Sequence, residues 1–215
     1  MVRTYAANGT VPGDEPRHRR TRRDFLASRR DLLDAAGRLL AREGSRFSLI
    51  DLAAEAGVST ATAYRHFTDV PAVLDAYYAE LVEGLVGQMT ALPPATDALA
   101  HFTAVCELWV RDAIAWGRAA IRVRSSRGFL ERLRAGDPQI ELFYATLSPT
   151  VTRLVEEGFA PASSTEQAVL LWVTIFDERV VVDLFDTLGW SVEKIAEELT
   201  AAALRALGHV PPAHR

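Results

Sequence analysis

The stretch Gly57-Val58-Ser59-Thr60-Ala61-Thr62-Ala63-Tyr64-Arg65-His66-Phe67 decides the fold. Gly57 lets the backbone turn with positive φ, where a Cβ would clash, and Val58 is an apolar plug behind it. Ser59 can cap a helix. The short helix that follows carries small, hydroxylic, aromatic and basic residues. Just upstream, Ser48 caps another short helix, Leu49 to Ala56, in which Leu49, Leu52, Ala53 and Ala56 recur at i, i+3, i+4 and i+7. Helix, glycine turn, helix is the sequence form of a helix-turn-helix reader.

At 100° per residue, Ala63 and Phe67 lie on one side of the reader helix, and Ala61, Thr62, Arg65 and His66 on the other. Thr60 and Tyr64 sit at the border. The second side is free to face a major groove. Ala61 and Thr62 are small enough for close approach, and Thr62 can meet a thymine methyl. Arg65 suits a bidentate contact with guanine. Tyr64 and His66 can donate to phosphate oxygens, as can amides at a helix start. The expected DNA-binding set is Ser48, Ser59, Thr60, Ala61, Thr62, Tyr64, Arg65 and His66. Taken singly, Tyr64 reads as a half-buried aromatic and His66 as a surface histidine; their spacing behind the glycine turn makes them a site.

Working outward, a first helix is expected over Asp24–Arg42, burying Phe25, Leu32, Leu33, Ala36, Leu39 and Leu40 and stopping at Gly44. Before it, Arg17-His18-Arg19-Arg20-Thr21-Arg22-Arg23 packs five arginines into seven residues. This arm either tracks phosphates and enters a minor groove or is a solvated lead-in. Met1 to about Pro16 mixes Gly, Pro, Asn and acids without periodicity, as a disordered tail does. The net charge of the 215 residues is −4, yet residues 17–66 carry a surplus of five positive charges and residues 67–215 a deficit of eight. A basic head on an acidic body fits a nucleic-acid partner for the head alone.

Leu52-Ala53, Ala56-Gly57-Val58-Ser59, Thr62, Tyr64 and His66-Phe67 together resemble the DNA-binding signature of the TetR family of transcriptional regulators. The likeness covers about 45 residues, from the first helix to the start of the fourth. It implies an all-α protein: a three-helix DNA-binding head at 20–69, after a tail with the start of the arm at 1–19, and a ligand-binding and dimerisation body at 70–215. It also implies a homodimeric regulator, a ligand-responsive repressor on a palindromic operator. Two departures stand out. Thr68-Asp69-Val70-Pro71 stands where the family often has lysines reaching phosphate, and Lys194 is the chain's single lysine. Ala63 stands where the family commonly has Leu or Ile.

Asp69 caps the fourth helix with Pro71 in its first turn, and Pro93-Pro94 ends it. Beyond, the chain reads as helices with aromatic stripes, broken at Gly117 and at Ser125–Gly128, then at Gly136–Pro138 and near Gly158–Pro161. Phe102, Cys106, Trp109, Trp116, Phe129, Phe143, Trp172 and Phe176 either line a cavity for an apolar or aromatic effector or simply fill the core. Arg118, Arg122, Arg124, Arg127, Arg132 and Arg134 either attract an acidic ligand or form a solvated face. Residues 168–185 read as one helix apolar on two faces, followed by a last helix capped by Ser191. These two resemble the family's dimer bundle, with Leu171, Ile175, Arg179, Val182, Ile195 and Leu199 at the seam; packing within one protomer is the alternative.

Strand signals are almost absent, so the fold class is all-α. Cys106 is the single cysteine, which excludes a disulfide framework and a cysteine metal site. No nucleophile–base set, metal-ligand cluster or phosphate loop stands out, so no enzyme, cofactor or metal is expected. With no signal peptide and no apolar run of about 18 residues, a cytoplasmic protein is expected. The partners expected are an operator DNA duplex, a second copy of the chain and a small effector. The competing reading is a helical interaction module with weak or no specific DNA binding.

Overall fold

The computed structural model describes residues 15–209 except 94, 96, 124 and 161–163, with the backbone alone for 15–23. The described elements are all helices: α1 Glu15–Glu43, α2 Leu49–Ala56, α3 Thr60–His66, α4 Val70–Thr90, α5 Ala98–Val123, α6 Phe129–Arg134, α7 Pro138–Glu156, α8 Thr165–Ile175, α9 Glu178–Asp186 and α10 Val192–Ala206. Among the described residues, no helix is long and apolar enough to cross a membrane.

Two cores organise them. In the head, Leu32, Leu33, Ala36 and Leu40 of α1 meet Leu52 and Ala53 of α2, Ala63 of α3 and Phe67. In the body, Phe102, Val105 and Trp109 of α5 pack with Leu147 and Leu154 of α7, Trp172 of α8 and Ile195 of α10. Helix α4 serves both. Val73 and Tyr77 near its start belong to the head core, and Val82, Leu85 and Met89 to the body core. The far end of α5 also reaches the head, where Ala119 is buried. A boundary drawn between residues 69 and 70 therefore cuts the head from two helices that complete its core.

The local signals behind these elements are explicit. Gly57 takes φ 67°, and its amide and that of Val58 donate back into the last turn of α2. The Asp69 carboxylate accepts from the Ala72 amide, and Pro71 occupies the first turn of α4. Ser191 caps α10 by accepting from the Lys194 amide at 3.3 Å.

Four expectations are corrected. The first helix begins at Glu15 rather than Asp24, so Arg17–Arg23 continues α1 as a helix instead of preceding it as a loose arm. Arginine is a good helix former and Pro16 falls in the first turn, where no hydrogen bond is lost. The remainder of the expected tail, 1–14, lies outside the described residues, as do Pro94, Arg124 and Pro161. Phe25 is 37% exposed rather than buried; its ring neighbours are His66 and Arg65 of α3 instead of the head core. Gly117 does not break α5; a Cβ there would stand 3.0 Å from Cγ2 of Val182, so the glycine admits α9 against α5. Finally, 168–185 is two helices. Phe176 ends α8, and Asp177 caps α9 by accepting from the Arg179 amide. The run Asp177-Glu178-Arg179 is that junction, not an interruption within a single helix.

Candidate DNA interface and ligand cavity

Most of the expected DNA-binding set occupies the exposed side of the helix-turn-helix. Thr60, Ala61, Tyr64 and Arg65 are exposed on α3, while Ala63 and Phe67 are buried beneath it. The other hydroxyls already have partners. The Ser59 hydroxyl accepts from the Thr62 amide at 3.1 Å and shares a 2.8 Å hydrogen bond with the Thr62 hydroxyl. Ser48 forms a capping box, its amide and hydroxyl donating to Asp51 at 2.8 and 2.7 Å. Those bonds hold the Asp51 carboxyl below its ordinary range. Ser48 and Ser59 are thus helix caps first.

His66 departs furthest from its expected place. Its ring lies against α1, with its centroid 4.0 Å from that of Phe25, and is half-buried rather than turned to the groove. Nε2 is 2.8 Å from the Ser28 hydroxyl, which itself donates to the Phe25 carbonyl at 3.0 Å. A hydroxyl has one hydrogen, so Nε2–H is the donor to Ser28 and Nδ1 carries the lone pair. Nδ1 is buried without a partner. Burial, and then the charges of Arg65 and Arg29, hold the His66 pKa below its ordinary value. Arg65 leans over the same Phe25 ring at 5.9 Å. Phe25, absent from the expected site, thereby holds both. In the sequence it stands seven residues before Leu32, in register with the buried stripe of α1, so the pattern assigned it to the core.

The basic surplus of the head is only partly free. Arg38 Nε meets Glu55 at 2.7 Å and Arg42 Nη2 meets it at 3.1 Å, tying α2 to α1. The two guanidiniums hold the Glu55 carboxyl low. Arg29 stacks on Phe67 at 5.0 Å.

In the body, five of the eight expected pocket residues surround one cavity of about 70 Å³: Trp109, Trp116, Phe129, Phe143 and Trp172. Ring centroids 5.1 to 5.9 Å apart link Trp109 to Trp116, Trp172 and Phe143, and Phe143 to Trp172. Phe102 and Phe176 are fully buried core residues instead. Cys106 is likewise core. Its Sγ accepts from Trp172 Nε1 at 3.3 Å, and burial pushes the thiol up to about 12. Tyr78 of α4 and a polar rim of Ser125, Arg127, Arg132 and Glu178 also line the cavity; their dispersed positions gave no periodic signal. A second, open cleft of about 650 Å³ lies between α1, α4, α5 and α9. Leu81 and Trp116 line both spaces, so they form a wall shared by cavity and cleft.

The expected dimer residues divide. Leu171 and Ile175 are half-buried on α8, and Arg179 is exposed, with Nη2 2.8 Å from Asp177. Val182 packs towards Gly117 of its own protomer. Ile195 and Leu199 are buried inside the body, at 0% and 8% exposure. They support a surface from beneath rather than form it. The apolar residues left outward nearby are Val180, Phe185 and Leu188.

A helix-turn-helix head completed by the first half of a long fourth helix, on a helical body, defines a class of transcription factors. A model of the bacterial regulatory proteins, tetR family, matches residues 32–76, so the head is similar to the DNA-binding domain of that family. No curated protein matches it in sequence. Its fold is similar to that of the fatty acid degradation regulator FadR from Bacillus halodurans, at 19% identity and TM-score 0.70 over 85% of this chain and 97% of that one. It is similar to FadR from Bacillus subtilis in complex with stearoyl-CoA, at 16% identity and TM-score 0.68 over 81% and 96%. A putative transcriptional regulator from Saccharomonospora viridis in complex with choline aligns at 21% identity and TM-score 0.60 over 82% and 95%.

Proposed function

We propose that the chain is a ligand-responsive regulator, a repressor, that binds a palindromic operator as a homodimer in the cytoplasm and leaves it when a small effector enters the body. The observation that carries this reading is the exposed row Thr60, Ala61, Tyr64 and Arg65 behind Gly57, on a helix with its opposite side buried. Such a row meets base edges and phosphates in a major groove. Two heads related by a two-fold axis must meet groove faces about 34 Å apart or a multiple of it. A small rotation of each head about α4 is then enough to abolish binding. An effector that favours the splayed arrangement shifts that population.

The test is retardation of a duplex carrying the chain's own upstream region, at low and moderate salt, against a scrambled duplex of equal length. Selective retention is expected. Equal retention of both duplexes, or of neither, leaves the helical interaction module as the better reading.

A further inference from the structure

We infer that the effector is a small carboxylic acid with an apolar or aromatic body, its carboxylate held by Arg132. This rests on reading the helical body as the sensor half of the protein. The cavity walls offer π-faces and aliphatic groups, because the indole N–H groups of the two buried tryptophans are spent elsewhere. Trp109 Nε1 donates to the Phe176 carbonyl at 2.8 Å, and Trp172 Nε1 donates to Cys106. Polar recognition therefore falls to the rim.

Arg132 is the built feature of that rim. Its neighbours Arg127 and Arg134 are surface ion pairs with more than half of each side chain exposed, whereas the Arg132 side chain is 13% exposed. Its guanidinium lies 5.4 Å from the centroid of the Tyr78 ring on the cavity wall. Asp137 fixes it from one side, a single carboxylate oxygen accepting from both Nε and Nη2 at 2.9 Å. The other Asp137 oxygen caps α7. A guanidinium has five N–H groups in a planar fork. Two go to Asp137 and a further one to Tyr78, so donors still remain for a second carboxylate at an orientation already set. Burial of a cation beside a cavity suits an anion and penalises a cationic ligand. Glu178, the acid on the same wall, already has an interaction of its own.

Size adds a constraint. An apolar cavity of about 150 Å³ takes up a benzene ring, and this one is smaller, about 70 Å³. A ring or short chain enters only if a wall residue yields. Phe129 is that residue: it rides on α6, a short helix whose residues are at most half-buried and which has no side-chain cap at Gly128. Phe129 and Arg132 share this helix one turn apart, so the side chain that yields lies beside the cation that Asp137 keeps in place.

Calorimetric titration of the full-length protein, without DNA, with 3-phenylpropanoate, octanoate, their amides and choline tests this. The acids are expected to bind at least tenfold tighter than the matched amides, with choline not binding. Arg132→Gln should erase the acid–amide difference and Arg132→Lys should keep part of it. Asp137→Asn retains the cap of α7 and removes the competing carboxylate, so it should tighten the acids several-fold. A purely structural Arg132–Asp137 pair predicts no such gain. Binding of choline, amides equal to acids, or no binding by either acid overturns the inference. Retardation of the upstream duplex is scored separately. Its failure sinks the DNA-binding reading and leaves the acid preference standing or falling by calorimetry alone.

Discussion

Phe25 is the residue on which the reading side of α3 leans. It carries the His66 ring at 4.0 Å and the Arg65 guanidinium at 5.9 Å. An exposed cation–π contact is worth about 0.5–1 kcal/mol. Phe25→Ala should therefore loosen Arg65 and weaken the preferred sequence more than random DNA, whereas Phe25→Tyr should keep the preference. Binding titrations on both duplexes measure the ratio. Arg65→Ala is the reference: relaxed preference at one position per half-site marks a base contact, and uniform loss marks a phosphate contact. His66 adds a pH signature. Its pKa is depressed in the folded state, so below the ordinary value of 6.5 the unfolded chain takes up a proton that the native one resists. Stability is full above that value and declines as pH falls through it. In His66→Gln, the fall in Tm between pH 7 and pH 5 should be shallower than in the unmodified protein. Equal slopes would mean that the ring titrates without strain.

Among elements, the turn into α3 gives the cleanest case. Gly57 sits at φ 67° with nothing within 4 Å of a would-be Cβ, so a substitution there meets backbone strain and no clash. Gly57→Ala should cost about 1–2 kcal/mol, and Gly57→Asn less, as read from denaturant midpoints. The same element explains what was legible in advance. Gly57, Ser59 and Asp69 act through backbone groups three or four residues away, so their roles follow from local spacing. Gly117 and Asp177 do not. One is a glycine because a helix some sixty residues later presses on it, and the other caps a helix whose separation from α8 left no gap in the apolar pattern. His66 turned inward for the same reason: its position on the helix was readable, whereas Phe25 and Ser28, some forty residues earlier, decide where its ring goes. Arg132 looked like one of six similar arginines until Asp137 and Tyr78 were seen around it.

On the scale of the whole molecule, the seam between two copies is a proposal with a sharp test. Three of the eight large apolar side chains exposed among the described residues, Val180, Phe185 and Leu188, cluster on or just after α9, which follows directly on α8 with its half-buried Leu171 and Ile175. A charge there should prevent association; at Leu171, half-buried against the body core, it should also cost some stability without unfolding the protomer. Leu171→Asp is expected to sediment as a folded monomer and to lose operator binding. Ile195→Asp should instead unfold the body, since that side chain is fully buried within it. An undiminished dimer in Leu171→Asp moves the seam elsewhere.

The wall formed by Leu81 and Trp116 has one more implication. The same two side chains bound the aromatic cavity and the cleft between head and body, so a shift of either residue reshapes both spaces. On the proposed function, linkage runs in both directions: the factor by which an effector weakens the grip on DNA equals the factor by which DNA weakens the grip on that effector. An operator-bound protein would be a poorer sensor than a free one, and the concentration that triggers release would rise with the abundance of operator sites. Trp116→Ala, by removing most of the partition, should bring both factors towards one together.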